Sequence, residues 1–497
     1  MVSRDKIKNF LFLFGYFLLL FLIACIFNII AVFNKNNFKE KPFILTEKRF
    51  KEAKEDFRNR NPKKKVKITF WHNLYDKEAV VLKKIIKDFE KEYPGIEVLA
   101  DNKGNWGQIF KHVSNALTVD KQPNLVVSYP DHVGFYHKSN KVLPLDIFIK
   151  KDKEFQNDFL ECYFEKIKIE DKEENYYLPF LKTTEIMFYN KDLLKKARES
   201  CQNKELDQLI NDQGKIKKDL LTWEEMDQIS AKLKVLNQKD FIPIVVDSET
   251  NLFIISTKQK GINYPITKES TKEFLNKPEV TELLKDFKDK YDAKYFTLGK
   301  LTGEEDKVPE LIMNNNTAFY ITSTRRLETL CIKNDFIPNL GYTNIPTFND
   351  KSNQNILQGS NVNLFYSQNE DEMLASWFFL KYLTSEDVYK EFLKENKFFN
   401  ITRKVPQEKI NERYTNHISN EKTELQTLRK DFFENFILKN AENNNFFTTS
   451  IFENSDFFRN IIADLFIDIL TIDDKDVNQE KRIEELLNEA IQRILTN

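Results

Sequence analysis

Residues 66–100, VKITFWHNLYDKEAVVLKKIIKDFEKEYPGIEVLA, decide the fold class. Val66 to Trp71 alternate apolar and polar, the period-2 pattern of a strand. Val81, Leu82, Ile85, Ile86, Phe89 and Tyr93 then recur at helical spacing, and Pro94-Gly95 stops that helix. Ile96 to Ala100 is a second short strand and Trp106 to Leu117 a helix. Leu125-Val126-Val127, between Pro123 and Pro130, is a buried third strand. Strands alternating with helices predict an α/β fold with a mainly parallel sheet. Ligands on such sheets sit beyond the carboxyl ends of the strands. The turns at Trp71, Lys103 to Trp106 and Pro130 to His132 are therefore the first places to look for a site.

A second unit follows. Tyr177 to Phe180 and Ile186 to Tyr189 read as extended chain on either side of Lys182-Thr183-Thr184. Asn190 to Ala197 starts a helix, and Thr222-Trp-Glu-Glu225 is a capping box that opens another. Ile242 to Val246, Thr317 to Thr322 and Val362 to Tyr366 read as strands. Val280 to Tyr291 and Glu372 to Leu383 read as helices, and the chain ends on one with Ile483, Leu486, Leu487, Ala490, Ile491 and Leu495 on one face.

Several function classes are disfavoured by composition. Only 11 of 497 residues are glycine, and no two form G-x-G. The dinucleotide fingerprint, the phosphate-cradling P-loop and the G-x-S-x-G nucleophile elbow are all absent. Cys25, Cys162, Cys201 and Cys331 stand far apart with no C-x-x-C, and no two of the five histidines form H-x-x-x-H. No zinc site, disulfide framework or other cofactor is expected, and the cysteines outside the apolar N-terminal run are expected to be buried and unreactive. Lys and Arg number 76 against 77 Asp and Glu. That balance gives none of the basic excess typical of nucleic-acid binders, but it hides a division. Residues 1–65 hold 15 basic and 6 acidic residues, a net of +9, whereas residues 66–497 hold 61 and 71, a net of −10.

Phe10 to Phe33 is uncharged, with only Asn28 strongly polar, and follows Arg4, Lys6 and Lys8. Its length suits a membrane-spanning helix, which needs roughly 20 residues. Three readings stand: an uncleaved anchor, a lipoprotein with Cys25 as the lipidated residue in Leu22-Ile23-Ala24-Cys25, and a cleaved signal. Each puts the rest of the chain outside the cytoplasm. Residues 34–65, ending in Asn-Arg-Asn-Pro-Lys-Lys-Lys, read as a charged tether or a patch for anionic lipid.

From Val66 onward the chain resembles the family-1 extracellular solute-binding proteins, the receptors of ABC importers, and among them the glycerol-3-phosphate-binding members. The likeness lies in an ordered series of segments. They are Ile68-Thr-Phe-Trp-His72, Phe89-x-x-Glu-Tyr-Pro94, Lys103-Gly-Asn-Trp106, Lys141 to Asp146, and Leu178-Pro-Phe180 with Phe188-Tyr-Asn-Lys-Asp192. Thr222 to Glu225, Asn276-Lys-Pro-Glu279, Ala318 to Ser323 and Gln358-Gly359-Ser360 follow in the same order. The resemblance implies a type II, periplasmic-binding-protein-like two-lobe α/β fold with hinge strands between the lobes. Its expected boundaries are 1–9 for a basic cytoplasmic segment, 10–33 for the anchor or signal and 34–65 for the tether. Lobe 1 is expected at 66–180 plus 319–363, and lobe 2 at 181–318 plus 364–497.

Carried over residue by residue, the resemblance implies a ligand site of Trp106, Asp131, Thr183, Ser323, Gly359, Phe398 and Arg459. Trp106 and Phe398 would stack on apolar faces of a sugar or polyol, and Asp131, Thr183 and Ser323 would bond its hydroxyls. Arg459 would hold a phosphate or carboxylate by its planar fork, and Gly359 would let backbone approach closely. Each residue has a plainer alternative. The aromatics would serve as core or rim, Asp131 as a helix N-cap, and Arg459 as an ion-paired arginine. Arg325-Arg326 beside Ser323 reads as an anion site or a solvated helix start, and His132 and His137 read as hydrogen-bonded side chains or metal ligands. The implied function is reversible capture and delivery without catalysis. The implied partners are a sugar or glycerol phosphate, an ABC permease with its ATPase subunits, and the membrane through the N-terminal segment, with a monomeric receptor. A carbohydrate-active hydrolase working through two carboxylates, or an adhesin or scaffold on the same fold, remains the alternative.

Overall fold

β1 (Val66–His72) pairs in parallel with β2 (Ile96–Asn102), Val66 facing Ile96, and with β3 (Leu125–Ser128), Phe70 facing Leu125. The computed structural model describes residues 43–59, 64–155, 158–164, 166–169, 172–201, 205–237, 240–303, 307–348, 354–395, 399–400, 402–404, 423–442, 446–452, 454–473 and 478–496. The chain divides into two compact units, 1–46 and 47–497. Of the first, residues 43–46 are described and carry no regular element. The apolar run with Cys25 lies outside the described residues, among which no helix is long and apolar enough to cross a membrane.

The helix Asp76–Glu92 buries Val81, Leu82, Ile85 and Phe89, the stripe its spacing predicts, and ends at Tyr93, whose N–H bonds the Phe89 carbonyl. The helix Trp106–Thr118 opens on a capping box between Asn105 and Gln108. β4 (Ile167–Ile169) and β5 (Lys172–Glu174) form a separate hairpin. The remaining strands are β6 (Tyr177–Asn190), β7 (Ile244–Val246), β8 (Phe296–Leu298), β9 (Phe319–Ser323), β10 (Leu340–Thr343), β11 (Asn355–Leu364) and β12 (Phe446–Phe447). The large sheet runs β2-β1-β3-β11-β6-β9-β7-β8, with β10 on β6 and β12 on β11.

β6 and β11 join the two halves of this sheet. The first part of β6, Tyr177 to Thr184, pairs with β11, whereas Glu185 to Tyr189 pair with β9. The far end of β11, Asn361 to Leu364, pairs with β3. Between these pairings β11 carries a bulge at Gly359, which has φ +88°. A Cβ there would lie 2.4 Å from the Leu181 carbonyl oxygen, so a glycine is needed for the strands to pass. The two extended pieces expected around Lys182 are therefore one strand, buried along its whole length. The strand expected at 362–366 begins at Asn355, because its polar, glycine-bearing start is the bulge itself.

The expected lobe boundaries are corrected by these pairings. β9 lies between β6 and β7, so residue 319 opens a second-lobe strand, not a return to the first lobe. The helix Glu370–Leu383 packs on the first lobe: the Phe379 ring lies 5.6 Å from Phe70 and 5.0 Å from Phe89. The charged segment before Val66 is not a tether throughout. Glu47–Asn59 is a helix that buries Phe50, Ala53 and Phe57, with the Phe50 ring 5.1 Å from Phe378. Its apolar residues at i, i+3 and i+7 form one face, which that contact covers. The second lobe's core joins β7, β8 and β9 to the helices Glu249–Gln259, Pro278–Asp292, Ser455–Leu470 and Gln479–Thr496. Cys201 and Cys331 are buried thiols and Cys162 a half-buried one, and burial pushes the Cys331 thiol up to about 12.

Candidate functional site

The turns after the parallel strands carry aromatic rings on the first lobe. The Trp106 ring lies 4.0 Å from that of Tyr129, and Lys103 Nζ sits 4.5 Å above the Trp71 ring. His132 stands 4.5 Å from Phe110 and accepts a hydrogen bond from the Tyr129 N–H at its Nδ1. Burial and the nearby Arg459 charge lower its pKa to about 3, so it is a neutral ring at physiological pH. Burial likewise pushes the Tyr129 hydroxyl up to about 12.

The second lobe supplies charge. Arg459, on the helix Ser455–Leu470, donates from Nη2 to Asn251 Oδ1 at 2.6 Å and places Nε 3.4 Å from Asp131 Oδ2 on the first lobe. Asn251 in turn donates to Glu185 Oε1 at 2.7 Å. Burial raises the Glu185 carboxyl to about 7, and the Asp247 charge pushes the same way, while the Asn251 hydrogen bond and Arg459 oppose it. Burial also raises Asp131, against the opposing pull of Arg459 and Thr449. Arg459 Nη1 is buried and has no hydrogen-bond partner among the described residues. Asp131 does not cap the helix His132–Lys138; its side chain makes no cap hydrogen bond.

A second crossing between the lobes lies at Arg325, just past β9. Its guanidinium takes both oxygens of Glu78, Nε at 3.0 Å from Oε1 and Nη2 on Oε2, and lies 4.7 Å over the Tyr75 ring. Arg326 faces Asp247 at 3.4 Å, and Thr322 donates to the same carboxylate at 2.7 Å.

Beside the first crossing opens a groove of about 850 Å³, lined among the described residues by Pro130 to Asn140, Lys166-Ile167 and Tyr177 on one side and by 266–269 and 448–452 on the other. Pro130 and Thr449 are among its lining, and Thr449 Oγ1 lies 3.4 Å from Asp131 Oδ1.

A family profile described as Bacterial extracellular solute-binding protein matches residues 84–418. The chain belongs to that family. This solute-binding protein is 24% identical over 281 residues to the sn-glycerol-3-phosphate-binding periplasmic protein UgpB of Pectobacterium atrosepticum, covering 53% of this chain and 56% of that one. It is 25% identical over 130 residues to the maltotriose-binding protein of Pyrococcus abyssi, covering 26% and 27%. The chain thus spans from about a quarter to about half the length of these curated relatives. Among solved structures, it resembles the substrate-binding protein Lmo0181 of Listeria monocytogenes in complex with cycloalternan (TM-score 0.65, 16% identity, 87% of this chain and 98% of that one). It also resembles maltose-bound MalE3 of T. maritima (TM-score 0.63, 18% identity, 85% and 98%). These likenesses fix the two-lobe fold.

The candidate residues of the solute-binding protein are brought together only in part. Asp131 and Arg459 meet, and Trp106 packs against Tyr129 and His132, which flank Asp131 along the chain. Thr183 is buried on β6 opposite Gln358, and Gly359 approaches the β6 backbone, where its role is to let the strands cross. Ser323 ends β9 and accepts from the Arg325 N–H at 3.4 Å. Phe398 lies outside the described residues. Glu185, Asn251 and Tyr129 were not singled out from the sequence. Glu185 had one visible signal: with Lys182, it is a charge in the otherwise uncharged fourteen-residue run Tyr177–Asn190.

Proposed function

We propose that this solute-binding protein is the extracytoplasmic receptor of an ABC importer. It is held at the membrane by its N-terminal segment and captures a sugar or polyol phosphate in the cleft between its lobes. One observation carries the reading: Arg459 Nη1 is buried and unpartnered among the described residues, and its partner Asp131 contacts Thr449, which lines the groove. A planar guanidinium fork suits phosphate or carboxylate oxygens. The aromatic faces of Trp106 and Tyr129 would take the carbon skeleton, as in other sites that combine stacking with a few fixed polar groups. Ligand touching both lobes would favour their closed arrangement, a change that β6 and β11 can absorb as hinges. A permease would read that closure, and no bond would be made or broken. The similarity to a glycerol-phosphate receptor and to a maltotriose receptor supports both ligand classes.

Calorimetric titration of the full-length protein in detergent with sn-glycerol 3-phosphate, glycerophosphodiesters, maltose and maltotriose tests the reading. Binding of at least one is expected, with Arg459→Ala weakening it about 100-fold, the scale of a lost charge-assisted bidentate contact. Sugar binding indifferent to Arg459→Ala would remove the anion-binding role; no heat with any of them would remove the receptor reading.

A further inference from the structure

We infer that closing the lobes takes up a proton at Glu185, so that the receptor closes more readily in mild acid than at neutral pH. This rests on the receptor reading and adds a control to its capture step.

Where the lobes meet, a first-lobe carboxylate enters an acidic patch of the second. Asp131, three residues past β3, faces Arg459 and acts on Asp456, both on the helix Ser455–Leu470. Glu185 stands in the part of β6 that pairs with β9, and Asp247, just past β7, repels it. The Glu185 charge also reaches the Tyr129 hydroxyl on the first lobe. The cations facing this group are Arg459, Arg326 on Asp247, and Lys182 near Asp131, whereas Arg325 is held by Glu78. Four carboxylates therefore meet three cations, and crowding like charges favours protonation of one acid.

Glu185 is the acid placed to take that proton. It is 5% exposed, and its carboxylate receives one side-chain hydrogen bond, from the neutral Asn251 amide at 2.7 Å, with no salt bridge among the described residues. Arg459 bonds the same amide and opposes the shift, yet burial and Asp247 together raise the carboxyl to about 7. His132, lowered to about 3 by burial, is neutral throughout the relevant range. Lys182, lowered to about 7 by burial, lies within the hinge pair with Nζ 3.2 Å from Asn361 Oδ1, where parting the lobes leaves it. Asp456, raised to about 6 chiefly by burial, is the rival acceptor.

When the lobes part, Asp131 and Tyr129 withdraw with the first lobe, water reaches Glu185, and its carboxyl O–H gives the proton to solvent. A carboxyl at about 7 when covered and 4.5 when solvated holds the extra proton in the closed form between those values. Closure is therefore favoured as pH falls from about 7 to about 4.5 and is indifferent to pH above that window. A ligand that selects the closed form would be held more tightly in mild acid and released as pH rises.

Single-molecule energy transfer on the ligand-free, full-length protein in detergent tests this. Dyes are attached through genetically encoded azides at Val119 on the first lobe and Val235 on the second, both exposed. The closed-to-open ratio should rise roughly tenfold from about pH 7.5 to about pH 5.5, within what a shift of this size permits. Glu185→Gln, uncharged and still able to accept from Asn251, should hold the acidic ratio at both pH values. Asp456→Asn should keep most of the wild-type dependence. A ratio that ignores pH, or a dependence that survives Glu185→Gln, overturns the inference. The readout needs no ligand, so its failure is distinct from failure of the receptor reading, which the sugar and phosphate titrations decide.

Discussion

Two arginine–carboxylate pairs cross between the lobes, and they are finished differently. Arg325 spends two nitrogens on Glu78, which is 3% exposed, and covers the Tyr75 ring with its face. Arg459 makes one looser contact to Asp131, equally buried, sends a second nitrogen to Asn251 and keeps a third unpartnered among the described residues. A groove opens beside the second pair at Pro130 and Thr449. The first pair reads as a fastening and the second as a place kept for something else. A buried ion pair alone therefore does not mark a ligand site; the groove near the second pair is what makes it the candidate.

The largest effect is expected at the bulge where β11 passes β6, the pair of strands that joins the two halves of the sheet. Gly359→Val puts a Cβ 2.4 Å from the Leu181 carbonyl oxygen at a positive φ, so the hinge strands must separate. Urea denaturation should show a loss of about 4 kcal/mol or more, and a loss below about 1 kcal/mol would mean that the bulge relaxes freely.

The comparison itself is tested by Arg325→Met against Arg459→Met. Each strands a buried carboxylate, at a cost of about 3 kcal/mol by the usual penalty for breaking a buried pair. Only Arg459→Met should also weaken ligand binding per folded molecule, as calorimetry reads it. Equal affinity losses for the two variants would erase the distinction.

A smaller, graded effect is expected with pH. The Glu185 carboxyl, raised to about 7 in the fold against 4.5 unfolded, keeps its proton in the native state after the unfolded chain has lost it. Its contribution is therefore full below about pH 4.5, falls as pH rises to about 7, and is flat above. The total is roughly 3 kcal/mol. Glu185→Gln should remove that part of the slope from stability measured across the window, and an unchanged slope would assign it to other groups.

The elements were legible because their signals are local. Period-2 alternation marked β1, a helical stripe marked Asp76–Glu92, and the capping box at Thr222 set a helix start that the structure keeps. What misled were segments whose meaning depends on a distant partner. The charged stretch before Val66 looked solvated until Phe378 covered its apolar face, and Lys182-Thr183-Thr184 looked like a break until β11 paired with it. Asp131 had the look of a helix cap, because its position before His132 was visible and its partner on a remote helix was not.

By itself the sequence determined the α/β class, most element positions, the family likeness and the division into a basic, apolar N-terminus and an acidic body. Which carboxylate meets which arginine was decided only by tertiary structure. Glu78 and Arg325 are 247 positions apart, Arg459 and Asn251 208, and Thr449 and Asp131 318. Backbone periodicity acts over a few residues, whereas these contacts exist only once two sheet halves are joined through β6 and β11.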